Sequence, residues 1–283
     1  MRGAGPKFGL PGSGGPKFGP AKIYISAVLA LMYVPILLVI VYSFNRSRQS
    51  SQWGGFSLYW YGELFRDRAL FEALLNSLIL GVLSSFCAAV IGVLAASGMA
   101  RAKLPGAKGV EALAVLPIIT PEVVMGMVSL AFFAFLSIPF GMLTLLLAHT
   151  SMCIPYVFLL VKARLAGIDK SLLEAARDLG AGEWRAFRDI TLPLVMPAVV
   201  SGLLISFAMS FDDVIVSVFV TGVNTNTLPV RIYTSLKVGV TPKINAMCTL
   251  LFALTALLSL CSAIISGYGG RSKNAEKKIE GEI

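Results

Sequence analysis

The sequence predicts an all-α membrane protein with six transmembrane helices. Of its 283 residues, 56% are hydrophobic and 14% are charged, and the mean hydropathy is +0.80, a balance typical of membrane proteins. An α-helix needs about 20 apolar residues to cross a bilayer. Six apolar stretches reach that length, namely 23–44, 73–100, 110–136, 142–161, 194–220 and 244–268.

The distribution of positive charge predicts the orientation of these helices. With the N-terminus inside, 17 of the 24 lysines and arginines fall in the inner connections and tails. Because the inner loops of membrane proteins carry the excess of positive charge, both termini are expected in the cytoplasm. The net charge of +9 is accordingly interpreted as contact with anionic lipid, not as nucleic-acid binding.

The two ends of the chain predict a three-part organisation. Residues 1–21 are rich in glycine and proline and contain PKFG twice, so they are expected to form a disordered basic tail. The first apolar stretch lies behind this tail and is too long for a signal-peptide core, so it is expected to stay as an anchor. A six-helix domain then covers 22–268, and residues 269–283 form a cytoplasmic tail.

The second apolar stretch carries small residues every four positions, at Ser77, Gly81, Ser85 and Ala89. Lipid gives helices no hydrophobic reason to associate, whereas small residues let two backbones approach closely. This helix is therefore expected in the interior of a bundle or at a subunit interface.

The third apolar stretch contains Pro117 and Pro121, and Glu122 follows the second proline. Each proline removes a helical hydrogen bond, so a kink or break is predicted near the middle of the membrane. Irregular backbone at that depth is tolerated where it lines a cavity or is buried in protein. Glu122 is thus a candidate for a solute pathway or, equally, a packing carboxylate.

The remaining reactive residues predict neither an enzyme nor a metal site. His149, the only histidine, has no carboxylate near it in sequence and is expected to be a hydrogen-bonded interior group. The cysteines have no metal-binding spacing and are expected to be small buried hydrophobic residues; they are Cys87, Cys153, Cys248 and Cys261.

A polar insert at 169–193 interrupts the apolar chain, and its pattern predicts two short helices. Asp169 is a candidate N-cap of the first helix and Gly180 a candidate left-handed residue after it, while Pro193 is expected to end the second. Apolar residues recur at helical spacing at Leu172, Leu173, Ala176 and Leu179, and then at Trp184, Phe187 and Ile190. Physics alone allows two interpretations, a helix pair lying on lipid or an element that docks a soluble partner.

The fifth apolar stretch contains the adjacent carboxylates Asp212 and Asp213 in its outer half. A charged aspartate at a helix centre costs about 2.5–3.5 kcal/mol on insertion scales, so both need partners or a watery cavity. Neighbouring helical residues point about 100° apart, so the two cannot share one role. One is expected at a solute pathway and the other in a partner contact, for example with Arg231; a purely structural ion-pair network stays open.

Aromatic residues crowd the outer loop at 45–72. They are expected either to form a belt at the membrane surface or to contact a docking protein. The residues are Trp53, Phe56, Tyr59, Trp60 and Tyr61.

The insert carries a family resemblance. Its residues match the pattern EAA-x3-G-x9-I-x-L-P without a gap at Glu174, Ala175, Ala176, Gly180, Ile190, Leu192 and Pro193. On these residues the chain resembles a membrane subunit of a bacterial ABC importer that depends on an extracytoplasmic binding protein. The resemblance implies the transmembrane domain of a type I ABC importer, in which the insert forms cytoplasmic coupling helices that fit a cleft on the ATPase.

The same resemblance implies the other subunits of the complex. This chain has no GxxxxGK[ST] phosphate loop, so ATP and Mg²⁺ would be bound by a partner, and the chain itself holds no cofactor. The implied partners are two copies of the ATPase, a second homologous permease and a periplasmic binding protein. The implied location is the bacterial inner membrane.

Within that family, the stretches 42–47, 210–222 and 228–246 are most similar to the second permease subunit of spermidine/putrescine importers. A polyamine is a chain of ammonium groups, so carboxylates and aromatic faces suit its pathway. The candidate pathway residues are Asp212, Asp213, Glu122, Phe211 and Tyr233. The alternatives are another cargo (an amino acid, a phosphonate or another cation) or a transporter or scaffold that needs no ATPase.

Overall fold

The computed structural model describes residues 19–48, 52–101, 106–239, 241–253 and 255–257. Within these ranges the regular structure is helical, apart from one isolated antiparallel bridge between Asn45 and Phe56. The chain divides into two compact units, Met1–Gly62 with Thr241–Ile283, and Glu63–Val240. Residues 1–18 and 269–283, which carry most of the expected tails, lie outside the described residues, as does Cys261.

The first unit contains two apolar helices and the beginning of a third helix. Helix α1 begins at Gly19, inside the expected tail, and continues to Ser43. Helix α2, Tyr59–Arg66, begins in this unit. A further apolar helix, which we label α12, covers Pro242–Leu257. Most of the large apolar side chains of α1 are exposed, as expected of a helix that faces lipid.

The second unit contains the remaining helices. They are α3 Arg68–Arg101, α4 Ala107–Ile119, α5 Glu122–Phe135, α6 Met142–Ala166, α7 Lys170–Asp178, α8 Glu183–Ala186, α9 Leu192–Asp212, α10 Ile215–Val220 and α11 Leu228–Val238, with a π-helical turn at Phe187–Thr191 between α8 and α9.

The prediction of six spans is supported only in part. Four helices are long and apolar enough to cross a membrane, and a fifth span results if α4 and α5 are counted as one bent element. The sixth predicted stretch, 244–268, is described only as far as residue 257, where α12 is shorter than a full span.

Two of the predicted spans are longer in the structure. Helix α3 begins at Arg68 instead of residue 73, and α6 continues to Ala166 instead of ending at residue 161. Apolar sequence marks only the part of a helix inside the bilayer, whereas backbone hydrogen bonding continues into water. The Arg68 guanidinium contacts the Glu72 carboxylate at 3.0 Å, and such pairs at i,i+4 support an exposed first turn.

The third and fifth predicted spans are broken. The axes of α4 and α5 meet at 111°, which confirms the break expected from the prolines. Helix α4 passes through Pro117 and ends at Ile119, and the backbone of the following Thr120 is extended because it precedes Pro121. The continuous helix expected at 194–220 is wrong, since α9 ends at Asp212 and Asp213 is extended.

Helices α3, α6 and α9 pack through close backbone contacts. Val157 of α6 is fully buried between Gly92 of α3 and Gly202 of α9. A Cβ added at Gly92 would lie 2.9 Å from the Val157 Cβ, and one at Gly202 would lie 3.0 Å from its Cα. The small-residue stripe of α3 is buried in this contact region, at Ser77, Ser85, Ala88, Ala89 and Ala96. The expected interior position of this helix is confirmed.

Candidate coupling loop and pathway residues

The insert begins with the capped helix α7. The Asp169 carboxylate accepts a hydrogen bond from the backbone amide of Ser171 at 3.0 Å, which confirms Asp169 as the N-cap. This amide, followed by the Ser171 side chain, lowers the pKa of the Asp169 carboxyl below its ordinary value. The N-terminus of α7 is therefore set by a local contact that the sequence predicts.

The end of α7 is a left-handed turn at Gly180. Its φ is +81°, and no atom lies near the position of an added Cβ, so the backbone conformation and not space requires glycine. The Gly180 amide donates to the carbonyl of Arg177, and the Ala181 amide donates to that of Ala176, each at 2.9 Å. This pair of bonds is the Schellman motif, which confirms the role predicted for Gly180.

The second half of the insert continues directly into the membrane helix. The sequence suggested that Pro193 ends a helix, but Pro193 is the second residue of α9, directly after the π-helical turn. The Leu192 amide donates to the Phe187 carbonyl across the π-helical turn. The helical backbone is thus continuous over Glu183–Asp212.

The apolar residues of the insert divide between two surfaces. Ala176, Ala186 and Phe187 are buried, whereas Leu179 is 89% exposed and Trp184 is 67% exposed. Leu172 is also exposed, so the apolar residues predicted to share one face of α7 are only partly buried against the bundle. Glu174 and Ala175 lie on the exposed side of α7 as well. The insert rests on the bundle with one face and presents apolar and acidic groups with the other.

A cavity of 390 Å³ lies between the insert and the ends of α3, α4 and α6. Ile190, a motif residue, and Leu173 line it from the insert, and Lys162 of α6 forms an ion pair with Glu111 of α4 at its side. Ile190 and Leu192 are half-buried, while Pro193 is exposed. These three motif residues therefore belong to the junction with the bundle and not to the exposed turn.

The two adjacent aspartates have different environments. Asp212, the last residue of α9, is exposed and forms no ion pair within the described part of the chain. Asp213 is buried, and its carboxylate accepts hydrogen bonds from the amides of Val216 at 3.2 Å and Ser217 at 2.7 Å. Asp213 thus caps α10, and the expectation that the two residues have separate positions is confirmed.

His149 lies beside Asp213 in the interior, as expected for a hydrogen-bonded histidine. Its Nε2 is 3.0 Å from the Ser217 hydroxyl oxygen and 3.5 Å from the Asp213 carboxylate. Its Nδ1 is 2.8 Å from the Ser210 hydroxyl, which accepts a hydrogen bond from Ser84 at 2.9 Å. Sequence reasoning missed this network, because its serines look like ordinary small residues of apolar helices.

The other pathway candidates lie on three different helices, α5, α9 and α11. Glu122 is exposed at the first turn of α5, directly after the break at Pro121. Phe211 is half-buried and stacks on Phe207 with 5.8 Å between ring centroids. Tyr233 is 39% exposed on α11, and the Lys237 ammonium lies 4.5 Å from its ring centroid. Among the described residues, no hydrogen bond or ion pair joins Glu122, Asp212 and Tyr233.

In the first unit, the outer loop is organised around Asn45, which is fully buried. Its side chain donates to the Gln52 carbonyl and accepts from the amides of Ser47 and Gly54. The Trp60 indole donates to the Asn45 carbonyl at 2.8 Å. Trp53 and Phe56 remain more than half exposed, so the loop presents aromatic surface on a fixed backbone. Neither interpretation of these aromatic residues, a membrane belt or a docking surface, is decided.

Comparison with known families gives one match that covers most of the chain. Residues 88–271 match the family described as binding-protein-dependent transport system inner membrane component. The chain is 40% identical to the spermidine/putrescine transport system permease protein PotC of Haemophilus influenzae, over 88% of this chain and 97% of that protein. It is 38% identical to the putrescine transport system permease protein PotI of Escherichia coli, over 80% and 83% respectively.

Solved structures agree at the level of fold. A bacterial ABC transporter that imports the acidic polysaccharide alginate superposes with a TM-score of 0.67 at 13% identity, over 89% of this chain and 96% of that chain. An amino acid ABC transporter superposes with a TM-score of 0.53 at 20% identity, over 71% and 96%. The helical arrangement described above is that of membrane subunits of such importers.

Proposed function

The chain belongs to the family of binding-protein-dependent transport system inner membrane components, and we propose that it is a permease subunit that imports spermidine and putrescine across a bacterial inner membrane. The observation that carries the proposal is the 40% identity with a spermidine/putrescine permease over 88% of the chain. The chain is a transport subunit and not an enzyme. ATP and Mg²⁺ are assigned to a separate ATPase.

In this proposal the insert is the element that receives force from the ATPase. The exposed face of α7 and the Gly180 turn, with Glu174, Leu179 and Trp184, form the docking surface. The continuous helix Glu183–Asp212 has 30 residues. At 1.5 Å per residue it is about 45 Å long, so a displacement at the insert reaches the outer end of the same rod.

The outer end of that rod carries the proposed cargo contact. Asp212 is the exposed carboxylate there, and we assign it to the pathway. Phe211 and Tyr233 supply aromatic faces for ammonium groups, and Glu122 supplies a carboxylate at the second helix break. Asp213 is assigned a structural role because its carboxylate already accepts two backbone amides. Such a transit site binds weakly, and selection of the cargo belongs to the binding protein.

The proposed complex contains this chain, a second homologous permease, two ATPase copies and a periplasmic binding protein. A solved alginate ABC transporter in complex with its periplasmic protein supports this kind of assembly for the fold. We place both termini and the insert in the cytoplasm, because 17 of 24 basic residues then lie inside.

Uptake by the whole complex in membrane vesicles tests the proposal. Labelled spermidine and putrescine are supplied with ATP, with and without the binding protein, and uptake is expected only when both are present. Uptake of an amino acid or a phosphonate, without uptake of polyamine, would show that the proposed cargo is wrong. Uptake after removal of the ATPase would place the chain in another class of transporter.

Replacement of Asp212 tests the pathway assignment. Asp212→Asn keeps the size of the side chain and removes its charge, so we expect the maximal uptake rate to fall about tenfold, equivalent to about 1.4 kcal/mol of barrier. Co-purification of the ATPase should stay normal. The matched control is Glu63→Gln, which neutralises a carboxylate on α2 and should leave uptake unchanged. Normal uptake by the Asp212 variant would remove this residue from the pathway.

A further inference from the structure

A chain of buried polar groups links four helices at the point where α9 ends. Its members are Ser84 on α3, His149 on α6, Ser210 on α9, Ser217 on α10, and Asp213 between α9 and α10. His149, Ser84 and Ser217 have no exposed surface, and Ser210 and Asp213 are more than nine-tenths buried. Polar groups at this depth are costly unless they are paired, so the network holds a defined arrangement.

The hydrogen bonds of the network run in one direction. Ser84 donates to Ser210, so the Ser210 hydrogen is available to the Nδ1 of His149. The Nε2 of the ring then faces the Ser217 oxygen and the Asp213 carboxylate as a donor. The His149 imidazole, which belongs to α6, therefore contacts α9 through Ser210 and α10 through Ser217.

We propose that His149 is a positioning residue that fixes the break between α9 and α10 and thereby presents Asp212 to the transported cation. The inference rests on the pathway role proposed for Asp212. The connection is covalent: Asp212 is the last helical residue of α9 and is bonded to Asp213, whose backbone is extended. When the Asp213 carboxylate is held in place, the direction in which the Asp212 side chain leaves the helix is held as well.

Three contacts converge on Asp213 and Ser217. The Asp213 carboxylate accepts the Val216 and Ser217 amides, while the Ser217 hydroxyl lies against His149. The capping bonds hold the carboxylate to its own helix, and among the described residues the imidazole contact is what ties it to α6. Thr144 of α6 also donates to the Val220 carbonyl at the far end of α10. Loss of His149 Nε2 would therefore leave α10 capped and held at that end, while its first turn, next to Asp212, would lose its hydrogen bond to α6.

Two substitutions of His149 distinguish the contribution of its Nε2 atom from that of its Nδ1 atom. Glutamine can place its amide nitrogen near the position of Nε2, whereas asparagine reaches only the position of Nδ1. We expect His149→Gln to keep at least half of the maximal uptake rate, and His149→Asn to lose about tenfold with the KM for polyamine unchanged, since the binding protein sets that KM. Equal rates in both variants would overturn the proposal.

A pair of serine variants keeps the test decisive if His149→Asn does not assemble. Ser217 and Ser206 are both fully buried, but Ser206 bonds the Cys153 carbonyl and lies outside the network. Ser217→Ala should lower the maximal uptake rate, and Ser206→Ala should not. The same rate in both would overturn the assignment, because both lose an identical buried hydroxyl.

The combination with Asp212→Asn identifies the route of the effect. If His149 acts through Asp212, the variant His149→Asn/Asp212→Asn transports no more slowly than Asp212→Asn alone. Rates that multiply to about a hundredfold loss would show an independent effect and overturn the positioning role. Normal uptake by Asp212→Asn alone would instead defeat the pathway assignment on which the inference rests.

Discussion

Asp212 and Asp213 are adjacent and chemically identical, but their side chains have different environments because α9 ends between them. Within the part of the chain that the structure describes, Asp213 is buried without an ion pair to lysine or arginine, because backbone amides and the His149 ring satisfy its carboxylate. Asp212, one position earlier, is exposed at the last turn of α9. The difference in environment comes from the extended backbone at Asp213 and not from the residue type.

At the same scale, Asp169 gives α7 a dependence on pH. The Ser171 amide lowers the pKa of Asp169, so the ionised carboxylate is the form that stabilises the helix start. This stabilisation is present above the ordinary carboxyl pKa and is lost as the pH falls through the lowered value. We expect hydrogen exchange at the Ser171 amide to become faster, relative to its intrinsic rate, over that acidic range.

The control is Asp169→Asn, which caps a helix well but does not titrate. In that variant the protection of the Ser171 amide should be independent of pH. An identical pH profile in both proteins would show that another group governs the start of α7.

Among the elements, α8, the π-helical turn and α9 act as one helix, although their sequence suggests an end at Pro193. The π-helical turn precedes Pro193, and the Leu192 amide is satisfied by the Phe187 carbonyl across this turn, so the helix continues through the proline. The elements that do end abruptly are α4 and α9, at Ile119 and Asp212. Both breaks lie beside proposed pathway residues, whereas the junction of the insert with α9 is continuous.

The contact between α5 and α10 depends on Gly126. A Cβ added there would lie 2.4 Å from the Phe219 ring, so Gly126→Ala should destabilise the protein by about 1–3 kcal/mol through overpacking. Thermal unfolding of the detergent-solubilised protein measures this loss. Gly109→Ala on α4 meets no atom within 4 Å and should not destabilise the protein, because alanine also has the higher helix propensity.

Phe219→Ala provides the partner for a double-mutant cycle. It removes the ring that an alanine at Gly126 would strike, so the combined loss should be smaller than the sum of the single losses. Additive losses would mean that this contact is not the source of the strain.

The docking role of α7 is tested by Glu174→Lys. Reversing the charge of an exposed motif residue should abolish co-purification of the ATPase while the chain still inserts and folds. Glu72→Lys makes the same change at an exposed position on α3, outside the insert, and should retain most of the ATPase. Equal recovery from both variants would contradict the proposed docking surface.

The whole molecule is two compact units, and the larger one contains both the proposed coupling loop and the pathway candidates. Within that unit, α3, α6 and α9 form the packed centre, with Val157 held between two glycines. The insert at one end of α9 and Asp212 at the other are therefore parts of one cooperative body. This arrangement suits a subunit that converts movement of an attached ATPase into movement of membrane helices.

The orientation of this unit in the membrane can be measured with single cysteines in a background without native cysteines. Phe65 and Leu179 are 80% and 89% exposed, so cysteines at both positions are accessible in the absence of partner subunits. An impermeant maleimide should label Phe65→Cys in intact cells and Leu179→Cys only after permeabilisation. The opposite pattern would invert the proposed topology.

Sequence alone determined the features that arise from local chemistry. Apolar length predicted the membrane class, small-residue spacing predicted the buried side of α3, Asp169 and Gly180 predicted the ends of α7, and the EAA pattern predicted the family. Each of these depends on residues close together in the chain, where covalent spacing fixes geometry.

Only the tertiary structure decided which aspartate is buried, where the fifth span ends and what His149 contacts. His149 is 61 residues from Ser210 and 68 from Ser217, and Ser84 is 126 residues from Ser210. A hydrogen bond between groups so distant in sequence exists only after α3, α6, α9 and α10 have packed, because no local pattern specifies which polar groups in apolar helices will meet.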